Sequence, residues 1–208
     1  MSAPSILILG IGNLLWADEG FGVRCVEQLH SRYEFPANVS LLDGGTQGIY
    51  LVQHVQSADI LVVFDAIDYG LPAGTMKIIR DDEVPKFMGA KKMSLHQTGF
   101  QEVLAMAEFT GHYPSELLLV GVQPEALEDF GGSLRESVRA QIDPALAVVL
   151  AFLAERGVVA KPRQSATTET LSPDQLQMGL YEDGRPDAGQ ACRHGDIRFI
   201  PPTAGVNS

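Results

Sequence analysis

The chain has 208 residues, with 26 Asp and Glu against 15 Lys and Arg and a formal net charge of −11. A surface this acidic disfavours nucleic-acid binding by phosphate neutralisation. Hydrophobic residues make up 45%, enough for a sizeable core, and the length fits one domain with a tail. The N-terminus, MSAPSILILG, has neither a basic n-region nor a small-residue cleavage site, and no long apolar run stands out. A soluble, cytoplasmic protein without membrane insertion is expected, monomeric because no heptad or repeat argues otherwise. Cys25 and Cys192 form no C-x-x-C or zinc spacing, and Cys25 reads as a small buried hydrophobe.

In chain order, Ile6 to Leu9 form a continuously apolar strand. A turn, Gly10-Ile11-Gly12-Asn13, follows. Asp18 is placed to cap a helix that runs to about Tyr33, with Val23, Val26, Leu29 and Tyr33 on its inner stripe. Val39 to Leu42 form a second strand ending at Asp43. Gly44-Gly45-Thr46 reads as a loop and Gln47 to Val55 as a short helix. A third strand, Ile60 to Phe64, ends at Asp65. A loop with Gly70, Pro72 and Gly74 leads to a fourth strand, Thr75 to Arg80. That connection is too brief for a helical crossover, so the fourth strand is expected antiparallel, at an edge.

The charged segment Asp81 to Lys92 reads as exposed. Ser94 and Gln97 have capping-box spacing at the start of a helix to about Phe109. Leu117 to Val122 form a fifth strand, and a helical region runs from Ser133 to Arg156, kinked or restarted at Pro144 after Asp143 and ended by Gly157. The alternation of elements predicts a three-layer α/β fold: a twisted, mostly parallel five-stranded sheet between helices. This domain spans 1–161. Residues 162–208, rich in Pro, Gly, Ser, Thr and Asp, read as a flexible extension, with Asp196 to Ile200 a possible short strand.

The turn after the first strand invites a dinucleotide reading. However, the third position of a G-x-G-x-x-G is Leu15, and the helix starts only after Trp16, too late to hold a pyrophosphate at its N-terminus. The carboxylates suggest other chemistry. In an open α/β sheet, ligands bind beyond the carboxyl ends of the strands where strand order reverses. With the order second, first, third, that crevice receives Asp65 from the third strand and Glu19 after the first, with Asp43 on the same rim. His96, in the first turn of its helix, is compatible with the same place, and a helix N-terminus favours the neutral imidazole that binds metals. Taken singly, Glu19 reads as a helix-dipole carboxylate, Asp65 as a loop cap and His96 as a polar loop contact. Together they form a mixed oxygen and nitrogen set suited to nickel, zinc or a related divalent ion. No nucleophile elbow is present, and no cysteine sits beside a credible base. Trp16 lies on the loop above the rim.

These residues fall into a longer pattern. G-x-G-N-x-L-x-x-D-E-x-x-G runs from Gly10 to Gly22, followed by Asp43-Gly44-Gly45-Thr46, Asp65-Ala66, Pro72-x-Gly74-Thr75, Ser94-x-His96-Gln97 and Val120-Gly121-Val122-Gln123-Pro124-Glu125. In this order they resemble the hydrogenase maturation endopeptidases, which process the large subunit of nickel-iron hydrogenases, over roughly Ile6 to Gly157. The resemblance implies a twisted five-stranded sheet between helices. It also implies removal of a C-terminal extension from the large-subunit precursor after nickel insertion. Glu19, Asp65 and His96 become the expected metal ligands, with nickel supplied by the substrate and zinc able to substitute. Glu19 and Asp65 are the catalytic candidates, and Asp43-Gly44-Gly45-Thr46 is linked to substrate recognition. The family is often filed with aspartic-type peptidases, although its carboxylates form no recognised dyad. A non-catalytic metal-binding chaperone and a nucleotide-binding oxidoreductase are the rival classes. The resemblance assigns no role to the extension.

Overall fold

The computed structural model describes residues 3–88, 95–127, 129–165, 167 and 170–183, with the side chains of 86–88, 95–98 and 182–183 outside the description. Five strands form one sheet: β1 (Ile6–Ile11), β3 (Val39–Gly45), β4 (Ile60–Ala66), β5 (Met76–Arg80) and β6 (Glu116–Val122). A separate ribbon pairs β2 (Tyr33–Glu34) with β7 (Lys161–Pro162). The sheet order is β3-β1-β4-β6-β5, parallel except for β5 on β6. This is the expected fold class, with the antiparallel strand at an edge. Strand order reverses at β1, so the topological switch point is the crevice between β1 and β4.

Alternation within the strands builds two cores. Ile6, Ile8, Ile60, Val62, Phe64, Leu118 and Val120 face one side, against α1 (Phe21–Arg32), α5 (Glu136–Arg139) and α6 (Ile142–Ala154). Leu7, Leu9, Leu61, Val63, Leu117 and Leu119 face the other, against α2 (Val52–Gln56), α3 (Glu83–Met88) and α4 (Leu95–Phe109). Burial on both faces explains why β1, β4 and β6 read as unbroken apolar runs. Cys25 is fully buried in the first core.

Several local expectations are revised. Asp18 caps no helix: it lies in a 3-10 turn (Ala17–Gly20), and α1 begins at Phe21 without a side-chain cap. Gly44 and Gly45 belong to β3 rather than to a loop, because Gly12 N–H donates to the Gly45 carbonyl and extends the pairing. The charged segment after β5 contains α3, anchored by buried Val84. The last helical region breaks at Ala140 and Gln141, before Pro144, and Asp143 pairs with Arg32 instead of capping. Glu136–Ala154 has the length and composition of a membrane span. Yet it is interrupted, and Ala145, Leu146, Val149, Phe152 and Leu153 are buried in the core. A core helix packed on an apolar sheet meets the same compositional test.

Part of the segment after residue 161 packs on the domain. A 3-10 turn (Asp174–Leu176) and α7 (Met178–Asp183) lie along α1, with Leu171 and Met178 against the first core. The Ser94 capping box, the Asp196–Ile200 strand and the rest of the extension fall outside the described residues.

Candidate active site

The turn after β1 is shaped by close backbone packing. Gly12 has φ +131°, and a Cβ there would lie 1.7 Å from the Glu19 carbonyl oxygen. A Cβ on Gly10 would lie 2.4 Å from the Gly22 carbonyl oxygen, and one on Gly22 2.2 Å from the Phe64 carbonyl oxygen. The glycines therefore let the chain fold back on itself and seat α1 directly over β1 and β4. These glycines serve close backbone packing in a turn. The same packing holds the turn carrying Glu19 against the residue that precedes Asp65.

Asp18 locks this turn from the other side. Its carboxylate is fully buried. Oδ2 accepts from the backbone N–H groups of Glu125 and Ala126 at 2.8 Å each, and Oδ1 from that of Arg135 at 2.7 Å. Asp18 N–H returns a bond to the Ala126 carbonyl, and Gly131 N–H donates to Leu15. Trp16 packs edge-on against Phe130 with ring centroids 5.3 Å apart. The loop after β6 and the turn after β1 are thus laced together.

Asp65 is fully buried at the end of β4. Alternation puts it on the face of Leu61 and Val63, the face covered by α4, whose first turn contains His96. The His96 side chain lies outside the described residues, and the structure places Asp65 at the end of β4 and Glu19 in the 3-10 turn that contacts this strand. Glu19 is half-buried, and desolvation pushes its carboxyl up to about 7. Such a group binds a cation or a proton more readily than an exposed glutamate. Among the described residues, no cluster of three or more His, Cys, Asp or Glu side chains has metal-binding geometry.

Two residues near Asp65 carried no sequence role. Tyr69 is buried, and its phenol is held well above its usual range by burial and by the Asp65 charge. Gly121, opposite Asp65 in the register, makes room for it: a Cβ there would lie 2.0 Å from the Tyr69 hydroxyl. Gln123, also buried, accepts from Tyr69 N–H at 2.7 Å and Leu71 N–H at 3.1 Å and donates to Asp68 Oδ1 at 3.0 Å, fixing the loop after β4. The Val-Gly-Val-Gln-Pro-Glu motif is the sequence signal for both Gly121 and Gln123.

Asp43 meets expectation in level but not in face. Gly10 pairs with Asp43 on one side and Phe64 on the other, so Asp43 and Phe64 are about 10 Å apart, two strand spacings. However, Asp43 alternates with Val39 and Leu41, the α1 face, opposite to Asp65. There Ser172 Oγ donates to Asp43 Oδ2 at 2.9 Å. Burial raises the Asp43 carboxyl above its usual range, partly offset by Ser172, the Gly45 N–H and the Arg24 charge. Gly44 is buried and Thr46 exposed. A cleft of about 640 Å³ under the C-terminal segment includes Glu27, Leu171 and Met178 but neither Glu19 nor Asp65, which marks it as a gap beneath that segment, separate from the carboxylate site.

The fold is an α/β domain in which Asp43 and Asp65 stand at the carboxyl ends of the parallel strands β3 and β4. The family model described as HycI, hydrogenase maturation protease, matches residues 23–152. The hydrogenase expression/formation protein HoxM of Azotobacter vinelandii is 73% identical over 97% of this chain and 97% of its own length. The hydrogenase 2 maturation protease of Escherichia coli K12 is 49% identical over 77% of this chain and 97% of its own. A solved structure of the hydrogenase maturating endopeptidase HybD from E. coli superimposes with TM-score 0.73 at 48% identity, covering 76% of this chain and 98% of that one. The chain belongs to the hydrogenase maturation protease family, and it is a peptidase.

Proposed function

We propose that this peptidase removes the C-terminal extension of a nickel-iron hydrogenase large-subunit precursor after nickel insertion, and that it recognises the bound nickel through Glu19, Asp65 and His96. The observation that carries the reading is the half-buried Glu19, its carboxyl pushed up to about 7, on a turn seated against the strand end that bears fully buried Asp65. Desolvation disfavours the bare charge of Glu19, which a proton or a cation relieves. A metal already held by the precursor supplies that cation, and open coordination positions accept the protein's ligands. Docking through the substrate's own metal makes cleavage wait for metal insertion.

Once the extension is aligned, a Glu19 carboxylate oxygen not taken by the metal is available for general-base work on water. Glu19 accepts a proton from water as the water oxygen bonds to the scissile carbonyl carbon. The proton then passes to the departing amine as the C–N bond breaks, so the carboxylate is regenerated. Asp65, with His96, holds the metal in place.

The test incubates the purified protein with nickel-loaded and nickel-free precursor and follows the precursor C-terminus by mass spectrometry. Cleavage of the loaded form alone is expected, and equal cleavage of both eliminates nickel gating. Binding of the loaded precursor without peptide release identifies a chaperone instead. Glu19→Gln, Asp65→Asn and His96→Gln are each expected to abolish cleavage, and a variant that still cuts at the normal rate removes that residue from the site.

A further inference from the structure

The segment after residue 161 reaches the recognition end of the sheet. Leu171 and Met178 anchor it on the first core. Arg24 of α1, itself only 4% exposed, donates to the Leu176 carbonyl at 2.6 Å and to Glu27 at 2.8 Å, and its guanidinium lies 6.0 Å from the centroid of the Tyr181 ring. Between these anchors sits Ser172, also 4% exposed. Its hydroxyl donates to Asp43 Oδ2 at 2.9 Å.

A buried hydroxyl on a carboxylate fixes a side chain more firmly than solvent does, because a charge-assisted bond shielded from water is short and directional. Asp43 emerges at the end of β3 with exposed Thr46 and Gln47 beside it, so one edge of its carboxylate meets the segment while its surroundings open to the surface. Arg24 is held in turn by the Leu176 carbonyl, and its charge acts on Asp43. The family match ends at residue 152, before this segment, whereas the Azotobacter relative matches nearly the whole chain and therefore most of the segment. The orienting contact is thus an addition to the shared domain.

We infer that Ser172 is a positioning residue that orients Asp43 for precursor recognition, with residues 170–181 acting as a strap that completes the recognition end of the site. This rests on the assignment of substrate recognition to Asp43. The strap leaves the opposite face, with Asp65 and the start of α4, untouched. Its loss should therefore weaken recognition of the precursor without slowing the chemical step.

The test measures cleavage of nickel-loaded precursor by full-length protein carrying Ser172→Ala, Ser172→Thr, Asp43→Ala, or Asp43→Ala with Ser172→Ala. Ser172→Ala is expected to raise KM about fivefold with kcat within twofold, since one charge-assisted bond governs orientation. Ser172→Thr, which keeps the hydroxyl, restores KM. Adding Ser172→Ala to Asp43→Ala changes nothing further, because the two residues act as one unit. A wild-type KM for Ser172→Ala, or the same KM rise with Asp43 absent, overturns the inference, as does a drop in Tm with KM unmoved. If Asp43→Ala itself keeps a normal KM, the recognition role of Asp43 fails instead, so the two failures are distinguishable.

Discussion

Replacing Asp18 with asparagine separates two roles that the sequence alone leaves equivalent. As an N-cap, asparagine serves as well as aspartate, and the substitution costs nothing. In the structure, Asp18 is a fully buried acceptor of three backbone N–H groups. The asparagine oxygen can keep the pair from Glu125 and Ala126, now as weaker neutral bonds. The asparagine amide then faces the Arg135 N–H, donor against donor. Losing one charge-assisted bond and stranding a buried donor costs about 3 kcal/mol. For a chain of this length, that lowers Tm by about 6–12 °C. Urea denaturation measures the loss. Because Trp16 is the only tryptophan and packs on Phe130 within the laced loops, its fluorescence reports this region while circular dichroism reports the whole. Coincident transitions shifted to lower urea are expected. A variant within about 0.5 kcal/mol of the parent, the spread of ordinary surface substitutions, refutes the clamp and restores the cap.

Gly12→Ala places a Cβ 1.7 Å from the Glu19 carbonyl at φ +131°. It should destabilise by about 3 kcal/mol or more in urea denaturation, from combined backbone strain and overlap. Gly121→Ala meets the Tyr69 hydroxyl at 2.0 Å and should cost about 1–3 kcal/mol. Most of that cost should disappear in a Tyr69→Phe background, and additive losses refute the contact. Glu19 gives a pH signature in the metal-free protein. Its folded-state value, pushed up to about 7, lies above its ordinary 4.5. Between these values the native state holds more protons than the unfolded chain, so stability falls as pH rises from about 4.5 through 7. Glu19→Gln removes this slope. Denaturation at pH 5 and pH 8 should therefore show the variant gaining on the parent at the higher pH, and parallel profiles contradict the desolvation.

What the sequence made legible follows from which signals are local. β1, β4 and β6 read directly because burial on both faces demands unbroken apolar runs, and the edge position of β5 follows from the short connection Ile67 to Thr75. Asp43 and Asp65 could be put on one rim because both end strands. Their opposite faces could not be read, because face depends on counting residues within strands whose ends were placed short: β3 continues to Gly45 and β1 to Ile11. The function of Asp18 was hidden because its partners lie 107, 108 and 117 residues away, and backbone N–H groups leave no compositional trace. Ser172 was hidden for the same reason, 129 residues from Asp43 in a stretch whose Pro, Ser and Thr content reads as disorder. Three anchors suffice to dock it: Leu171, Met178 and the buried Arg24.

The two aspartates lie on opposite faces of the sheet. A single strand, β1, separates the strands that carry them, and its Gly10 bears no side chain. On the α4 face, Asp65 lies among buried groups, where a low local dielectric strengthens each charge interaction. On the α1 face, Asp43 is only half-buried beside an exposed turn. A side chain cannot cross from one face to the other without a register slip that would expose an entire strand's apolar set. The Ser172 contact to Asp43 therefore lies on the face opposite Asp65. The glycine turn links the two sides. It must stay side-chain-free because a Cβ on Gly12 would lie 1.7 Å from the Glu19 carbonyl oxygen.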